Sequence, residues 1–363
     1  MKEGYPESLL MQMLETYSPS GSEGEISKLL AEEMRGLGFR VRVDEVGNVE
    51  GRAGSGDPKV LLCGHMDTVE GFLEVKKRGR VIFGRGAVDA KSPLAALICG
   101  AARHLEAGGK GSLTVLAVVD EEGKSRGMKH YLAKSTEVFN YAIFGEPSGA
   151  YAVTVGYKGR LLFRVSVATS AGHASAPQLF ENAVYIALGI IGRLRELDGR
   201  WTAEGGDLFE IPTLAVTAIS GGGADNTIPS RCEVAVDVRV PPSKTLGAVK
   251  EQVLKAIGEA ERGEAKVVTL VEDENWPYME SPDSRLVRAF IDAIKGVKGK
   301  EGRLSRKTGT SDVNDFVHRF GSSAVVYGPG NSRLDHTPLE NISLQEFRDS
   351  ISVIEGALGR LCR

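Results

Sequence analysis

Val60-Leu61-Leu62-Cys63, followed at once by Gly64-His65-Met66-Asp67, is a short apolar run that ends on an imidazole and a carboxylate. A run apolar at every position and closed by glycine reads as a strand buried on both faces, the kind a parallel sheet contains. Three more segments repeat the pattern. Residues 113–119 lead to Asp120-Glu121-Glu122, residues 141–144 to Gly145-Glu146-Pro147, and residues 324–327 through Gly328-Pro329-Gly330 to His336. In an open parallel sheet, sites form outside the carboxyl ends of the strands. The four loops are therefore expected along one edge. Asp89 falls between an expected hairpin over 74–83, turning at Gly79, and an expected helix over 91–107, so it can join them.

Working outward, residues 7–14 and 24–37 carry helix-period apolar positions, and 39–43 with 46–52 read as strands about a Gly47-Asn48 turn. Strands alternating with helices predict an α/β fold, a mostly parallel sheet flanked by helices. After Tyr157 the rhythm changes. Strand 160–167, helix 182–197, strands 213–219 and 232–240, helix 246–260 and strand 266–271 give a βαββαβ order, which predicts an inserted ferredoxin-like α+β module. Alternation resumes with a helix over 283–295 and a last helix from Leu344. The expected organisation is a first domain in two parts, 1–156 and 273–363, interrupted by a second over 157–272.

At 363 residues the chain is too long for one compact core. A net charge of -3 provides no broad basic field for nucleic acid or an anionic membrane. The four cysteines, Cys63, Cys99, Cys232 and Cys362, are scattered without a CxxC pair, which predicts a reduced, cytoplasmic protein rather than a disulfide framework. No apolar run is long enough for a membrane helix, and the first residues lack a signal-peptide pattern.

Histidine and carboxylate donors without thiolates suit zinc or a related divalent ion at an open, catalytic site. Five such donors, His65, Asp89, one of Glu121 and Glu122, Glu146 and His336, exceed the needs of one tetrahedral zinc, and a metal pair sharing a bridging carboxylate uses them economically. A paired-metal site also needs a free carboxylate to take a proton, and adjacent Glu121 and Glu122 can divide the jobs of ligand and base. Asp67, two residues past His65, is placed to bond the far ring nitrogen. Each feature has a bland reading. His-x-Asp is ordinarily a surface turn, an acidic run a solvated face, and a lone Asp before a helix an N-cap. What favours chemistry is that all of them fall at strand ends. Gly221-Gly222-Gly223 and Gly309-Thr310-Ser311 lack the spacing of a phosphate loop and read as turns. His104, His130 and His318 lie in helix-like context and read as structural.

The motif set resembles the zinc-dependent superfamily of aminoacylases, acetylornithine deacetylases, succinyl-diaminopimelate desuccinylases and glutamate-releasing carboxypeptidases. The matching segments, in order, are Gly64-His65-Met66-Asp67-Thr68-Val69, the run from Gly84 to Lys91, Asp120-Glu121-Glu122-Gly123, Gly145-Glu146-Pro147, Gly172-His173-Ala174-Ser175, Asn226-Thr227-Ile228-Pro229, Gly309-Thr310-Ser311-Asp312 and His336-Thr337. The resemblance implies two zinc ions per subunit, with cobalt or manganese as possible substitutes, and Asp89 as the bridging ligand. His65 and Glu146 would complete one site, Glu122 and His336 the other. It further implies Glu121 as general base, Asp67 as support for His65, and the inserted module as a lid and homodimerisation domain whose His173 reaches the partner subunit's site. Lys158, Asn226, Arg239 and Thr310 would contact the substrate. A non-proline cis peptide would fall at Asp89-Ala90, and Ser92 stands where many members have glycine. Within the superfamily, the runs Gly84–Lys91, Lys307–Asp312 and Tyr327–Ser332 are most similar to the branch that releases lysine or ornithine from an amino-group carrier protein. The rival readings are a deacylase of a free N-acyl amino acid (acetylornithine or succinyl-diaminopimelate) and a non-catalytic metal-dependent binding protein.

Overall fold

The computed structural model describes residues 1–260 and 263–363. Its contacts divide the chain into two units. One is made of Met1–Val155, Glu280–Arg306 and Ser311–Arg363, the other of Gly156–Met279 with Lys307–Thr310.

The first unit is built on a twisted sheet whose central strands, Gly111–Val118, Lys59–His65, Tyr141–Phe144 and Ser323–Val326, lie side by side in that order and run parallel. Their burial is nearly continuous, as their uninterrupted apolar runs require. The expectation of a mostly parallel sheet needs correction, because the flanks are antiparallel. Arg40–Val43 and Val49–Ser55 extend one side, and Ala152–Tyr157 pairs Ser323–Val326 on the other. Parallel neighbours need a helical crossover, whereas antiparallel ones do not. The hairpin 40–55 turns within Asp44 to Asn48, where Asp44 Oδ1 accepts the backbone N–H groups of Val46, Gly47 and Asn48. The expected hairpin about Gly79 forms as Lys76–Arg78 and Val81–Phe83, but it joins Asn341–Ser343 in a separate small sheet.

Helix Lys91–Glu106 is buried around most of its circumference. It packs between the strand Lys59–His65 and the C-terminal helix Leu344–Leu361, which in turn packs on helix Arg285–Lys298. Close approach explains Gly100: a Cβ there would lie 2.6 Å from Ile354 Cγ2. Two helices received no bounds from the sequence, Arg126–Lys134 and Asp312–Phe320, although His130 and His318 within them read as helix-like. Both are short, with nine residues each, so a 3.6-residue period has little length in which to show.

The second unit is a four-stranded antiparallel sheet in the order Thr213–Gly221, Arg231–Val240, Gly159–Ala168, Lys266–Asn275. Gly159–Ala168 alternates buried and half-buried positions, the mark of a sheet covered on one face. Leu161, Phe163, Val165 and Val167 share their core with residues of helices Ala183–Ala203 and Leu246–Gly258. Asn182 and Thr245 cap these helices through their side chains.

Candidate metal centre

The register of the four parallel strands sets the site. His65 lies opposite Val118, Cys63 opposite Phe144, and Phe144 opposite Val326, so the loops that follow emerge at one edge. His65 is buried at the end of its strand, with Nδ1 3.0 Å from the carbonyl oxygen of Asp67. A carbonyl oxygen only accepts, so Nδ1 carries the proton. Nε2 then points at Asp89 Oδ1, 3.3 Å away. The other Asp89 oxygen, Oδ2, lies 3.1 Å from His336 Nε2, which is also 2.9 Å from Glu122 Oε1. Asp89 therefore divides its two oxygens between two imidazoles.

An imidazole lone pair and a carboxylate oxygen repel unless a proton or a cation stands between them. The charge pattern follows. Burial pushes the His65 ring down, but the hydrogen bonds of Asp67 and Asp89 outweigh it and hold the ring well above its ordinary range. His336, bonded to Asp89, rises to about 9. Burial pushes Asp89 up, yet its bonds to His336 and His65 hold it below the ordinary carboxylate range. Glu122 is raised to about 7, by burial and then by the charge of Asp89. Ligand atoms from His65, Asp89 and Glu122 lie within 4.8 Å of one another. Imidazole nitrogen with carboxylate oxygen, and no thiolate, fits zinc.

Glu121 stands beside the ligands with its carboxyl raised well above the ordinary range, first by burial and then by the charge of Glu146. Glu146 accepts a 3.0 Å hydrogen bond from the Ser311 hydroxyl. The Asp120-Glu121-Glu122 loop is held from beneath by Asp67. Its Oδ1 accepts the N–H of Glu121 and its Oδ2 the N–H of Glu122, each at 3.1 Å, while the Ser20 hydroxyl donates to Oδ2 at 2.6 Å. Sequence reasoning placed the Asp67 carboxylate on the far nitrogen of His65. The carboxylate lies 3.5 Å from that nitrogen, farther than the Asp67 carbonyl, and its closer bonds are to the loop. Asp120 and His336 both sit at φ 62, the left-handed region that non-glycine residues enter uncommonly. Glu23 Oε1 holds the Asp120 N–H at 3.1 Å.

The Asp89-Ala90 peptide is cis, where the resemblance implied one. Ser92, in place of glycine, fits because its hydroxyl donates to the buried carbonyl of Ala87 at 2.7 Å. Asp312, 4% exposed at the first position of its helix, has a carboxyl that burial raises to about 7. Glu340 was missed altogether, although its carboxylate accepts three backbone N–H groups of the Asp89 loop. No local pattern marks it, because its partners lie some 250 residues away in sequence.

In the second unit, His173 lies in a two-stranded ribbon opposite Thr227, with Asn226 accepting the N–H of Ala174 through its carbonyl. The Ser175 N–H donates to His173 Nδ1 at 3.1 Å, so the neutral ring carries its proton on Nε2, as an outward donor. Arg239 reaches Thr310 Oγ1 at 3.4 Å and is braced by Asp237 at 2.6 Å. Lys158, expected at the substrate, is buried and donates to the carbonyl of Ile211 at 2.6 Å. His104 lies 3.0 Å from the carbonyl of Lys110, and His130 beside Glu45, as structural histidines do.

A sheet edge that gathers two imidazoles and several carboxylates around a metal-ligand cluster, with a spare glutamate beside it, defines a metal-dependent hydrolase. The profile of peptidase family M20/M25/M40 matches residues 61–360, and the chain belongs to that family. It is 32% identical to the LysW-lysine/LysW-ornithine hydrolase of Sulfurisphaera tokodaii over 98% of this chain and 95% of that one. To the LysW-lysine hydrolase of Deinococcus radiodurans it is 33% identical over 97% and 96%. Among solved structures, an M20 family metallo-carboxypeptidase from Sulfolobus solfataricus shares the fold with a TM-score of 0.82, 21% identity and 99% coverage of both chains.

Proposed function

We propose that this enzyme hydrolyses the amide joining lysine or ornithine to the C-terminal glutamate of a LysW-type amino-group carrier protein, the releasing step of carrier-linked lysine or arginine biosynthesis. The observation that carries the chemistry is Asp89, whose two oxygens face His65 and His336 as a carboxylate bridging two zinc ions would. His65 and Glu146 would hold one ion, and Glu122 and His336 the other. The substrate follows from similarity over nearly the whole chain to hydrolases of that specificity.

Zinc, or cobalt or manganese in its place, supplies Lewis acidity that acidifies water and polarises the scissile carbonyl. Glu121 removes the proton from the attacking water and returns it to the departing α-amine. Its sheltered carboxyl, raised above the usual range, is suited to hold that proton in between. Asp67 fixes the loop that aims Glu121 and Glu122. The second unit is the ferredoxin-like lid, with the βαββαβ order. Its His173 donates from Nε2 to the carbonyl oxygen in the partner subunit's site, and Arg239, Asn226 and Thr310 bind the carboxylate of the leaving amino acid, with Lys158 in support. Tyr185 and Leu188, exposed on helix Ala183–Ala203, and the edge strand Thr213–Gly221 provide the homodimer contact. All four cysteines are free and buried, in keeping with a cytoplasmic enzyme, and among the described residues no helix is long and apolar enough to cross a membrane.

The test offers the zinc-loaded enzyme lysine-loaded carrier, ornithine-loaded carrier, N-acetylornithine and succinyl-diaminopimelate side by side, and measures the free amino acid released. Turnover on the carriers is the expected result. Preference for either free substrate overturns the assignment.

A further inference from the structure

We propose that Glu340 is a positioning residue of the metal centre, which sets the reach of Asp89 by holding its loop through a single carboxylate oxygen; this rests on the reading of Asp89 as the shared zinc ligand.

Glu340 Oε1 accepts the backbone N–H groups of Gly86 at 3.0 Å, Val88 at 3.0 Å and Asp89 at 2.9 Å. Its Oε2 takes the Arg85 guanidinium at 2.9 Å. The residue is 1% exposed. Three amides converging on one oxygen form a concave anion nest, and here the anion is the protein's own. The Asp89 amide belongs to the same peptide frame as the side chain placed between His65 and His336. A shift of the Glu340 oxygen therefore moves a ligand rather than remote scaffold.

The same side chain ties two ligand loops together. Glu340 lies four residues past His336. Its carbonyl oxygen accepts the Gly84 N–H at 3.3 Å, and Asn341 pairs with Phe83 in the small sheet. Arg85 adds a bond to the carbonyl of Thr337 at 3.2 Å. The loops bearing Asp89 and His336 are thus braced as one body, with Glu340 as the joint.

Amide chemistry separates this role from a general contribution to folding. Glutamine has the same shape but one acceptor oxygen. If that oxygen serves the three N–H groups, its NH2 meets the Arg85 guanidinium, donor against donor; if it serves Arg85, the NH2 meets the three amides. Either the three amides or the Arg85 bond is lost, and whatever bonds remain are made to a neutral amide oxygen, weaker than the carboxylate they replace, while the core stays filled. Loss of a group that orients a metal ligand lowers metal affinity by about 10–100-fold.

The experiment measures zinc affinity of the full chain by competition with a chromophoric chelator, alongside the thermal midpoint of the metal-free protein. Glu340→Gln, folded at the assay temperature, is expected to bind zinc about 10–100-fold more weakly than the wild type. Arg85→Gln, which leaves Glu340 on the three amides and frees only its other oxygen, is expected to lose less in the same direction, and decides the matter should Glu340→Gln not fold. Folded Glu340→Gln with wild-type zinc affinity overturns the proposal, even if its thermal midpoint falls, because that is the signature of a purely structural residue. A wild type that takes up no zinc refutes the metal reading instead, an outcome visible before any variant is made.

Discussion

At the residue scale, the assignment of roles turns on two neighbours, Glu121 and Glu122. Glu122 is bonded to His336 and contributes a ligand atom to the cluster with His65 and Asp89, whereas Glu121 takes the part of base beside them. Glu121→Gln is therefore expected to retain its zinc, measured by elemental analysis, and to lose about 10²-fold or more in kcat, the usual scale for removing a general base. Glu122→Gln is expected to lose zinc itself. If both variants kept full metal and lost activity equally, the division of labour would be wrong. Lys158 offers a residue-scale test in the second unit. Burial, then the charge of Arg239, brings its ammonium down to about 8 from an ordinary 10.5. Between those values the unfolded chain holds a proton that the folded one has released, so stability rises with pH across the window. Below about 8 both states are protonated and the full cost of burying the charge is present. Lys158→Met has no such term. The gap in urea midpoint between wild type and variant should thus shift in favour of the wild type from pH 7.5 to about pH 9.5, and a gap independent of pH would show that the ammonium is not desolvated.

At the element scale, what could be read from sequence was whatever a single element states on its own. Four short apolar runs ending in His or acidic residues were enough to place His65, Glu122, Glu146 and His336 along one edge, because parallel strands leave their carboxyl ends together. The hairpin over 40–55 was legible as two strands about a turn, but its antiparallel place beside Gly111–Val118 and the pairing of Ala152–Tyr157 with Ser323–Val326 were not, since sheet order depends on pairings between distant segments. The partners of Asp67 and Glu340 were hidden for the same reason: a carboxylate that collects backbone amides looks like any other acid until the loop around it is known. Gly100 shows the point energetically. In isolation, glycine inside a helix is worth about 1 kcal/mol less than alanine, so Gly100→Ala should stabilise. Packing reverses the sign. The new methyl would lie 2.6 Å and 2.8 Å from two carbon atoms of Ile354, a side chain fully buried in the core, so neither partner has room to yield. Overpacking typically costs about 1–3 kcal/mol. Gly100→Ala is expected to lower the urea midpoint, and a variant more stable than wild type would mean that the two helices slide apart freely.

At the scale of the whole molecule, the proposed role of His173 makes the dimer, rather than one chain, the complete enzyme. His173 presents an Nε2 donor from the second unit, and the same unit exposes Tyr185 and Leu188 on helix Ala183–Ala203 beside an unpaired sheet edge. If His173 serves the partner's site, each active site of the dimer draws Glu121 from one chain and His173 from the other. Two inactive variants then complement each other. In a mixed dimer of Glu121→Gln with His173→Ala, one site inherits both defects and the other inherits neither. Random reassortment in a two-fold dimer makes about half the dimers mixed, each with one intact site, so activity should return to about a quarter of the wild type. Dimers re-formed from dissociated chains, with each variant alone as control, allow this to be read directly as released lysine. Should His173 serve its own chain, every site in every mixture lacks one group, and mixing restores nothing. Tyr185→Glu with Leu188→Glu supplies the converse: a chain kept monomeric by charge on that helix is expected to bind zinc normally and to turn over poorly, because its metal centre is whole while its carbonyl donor is on a subunit it no longer meets.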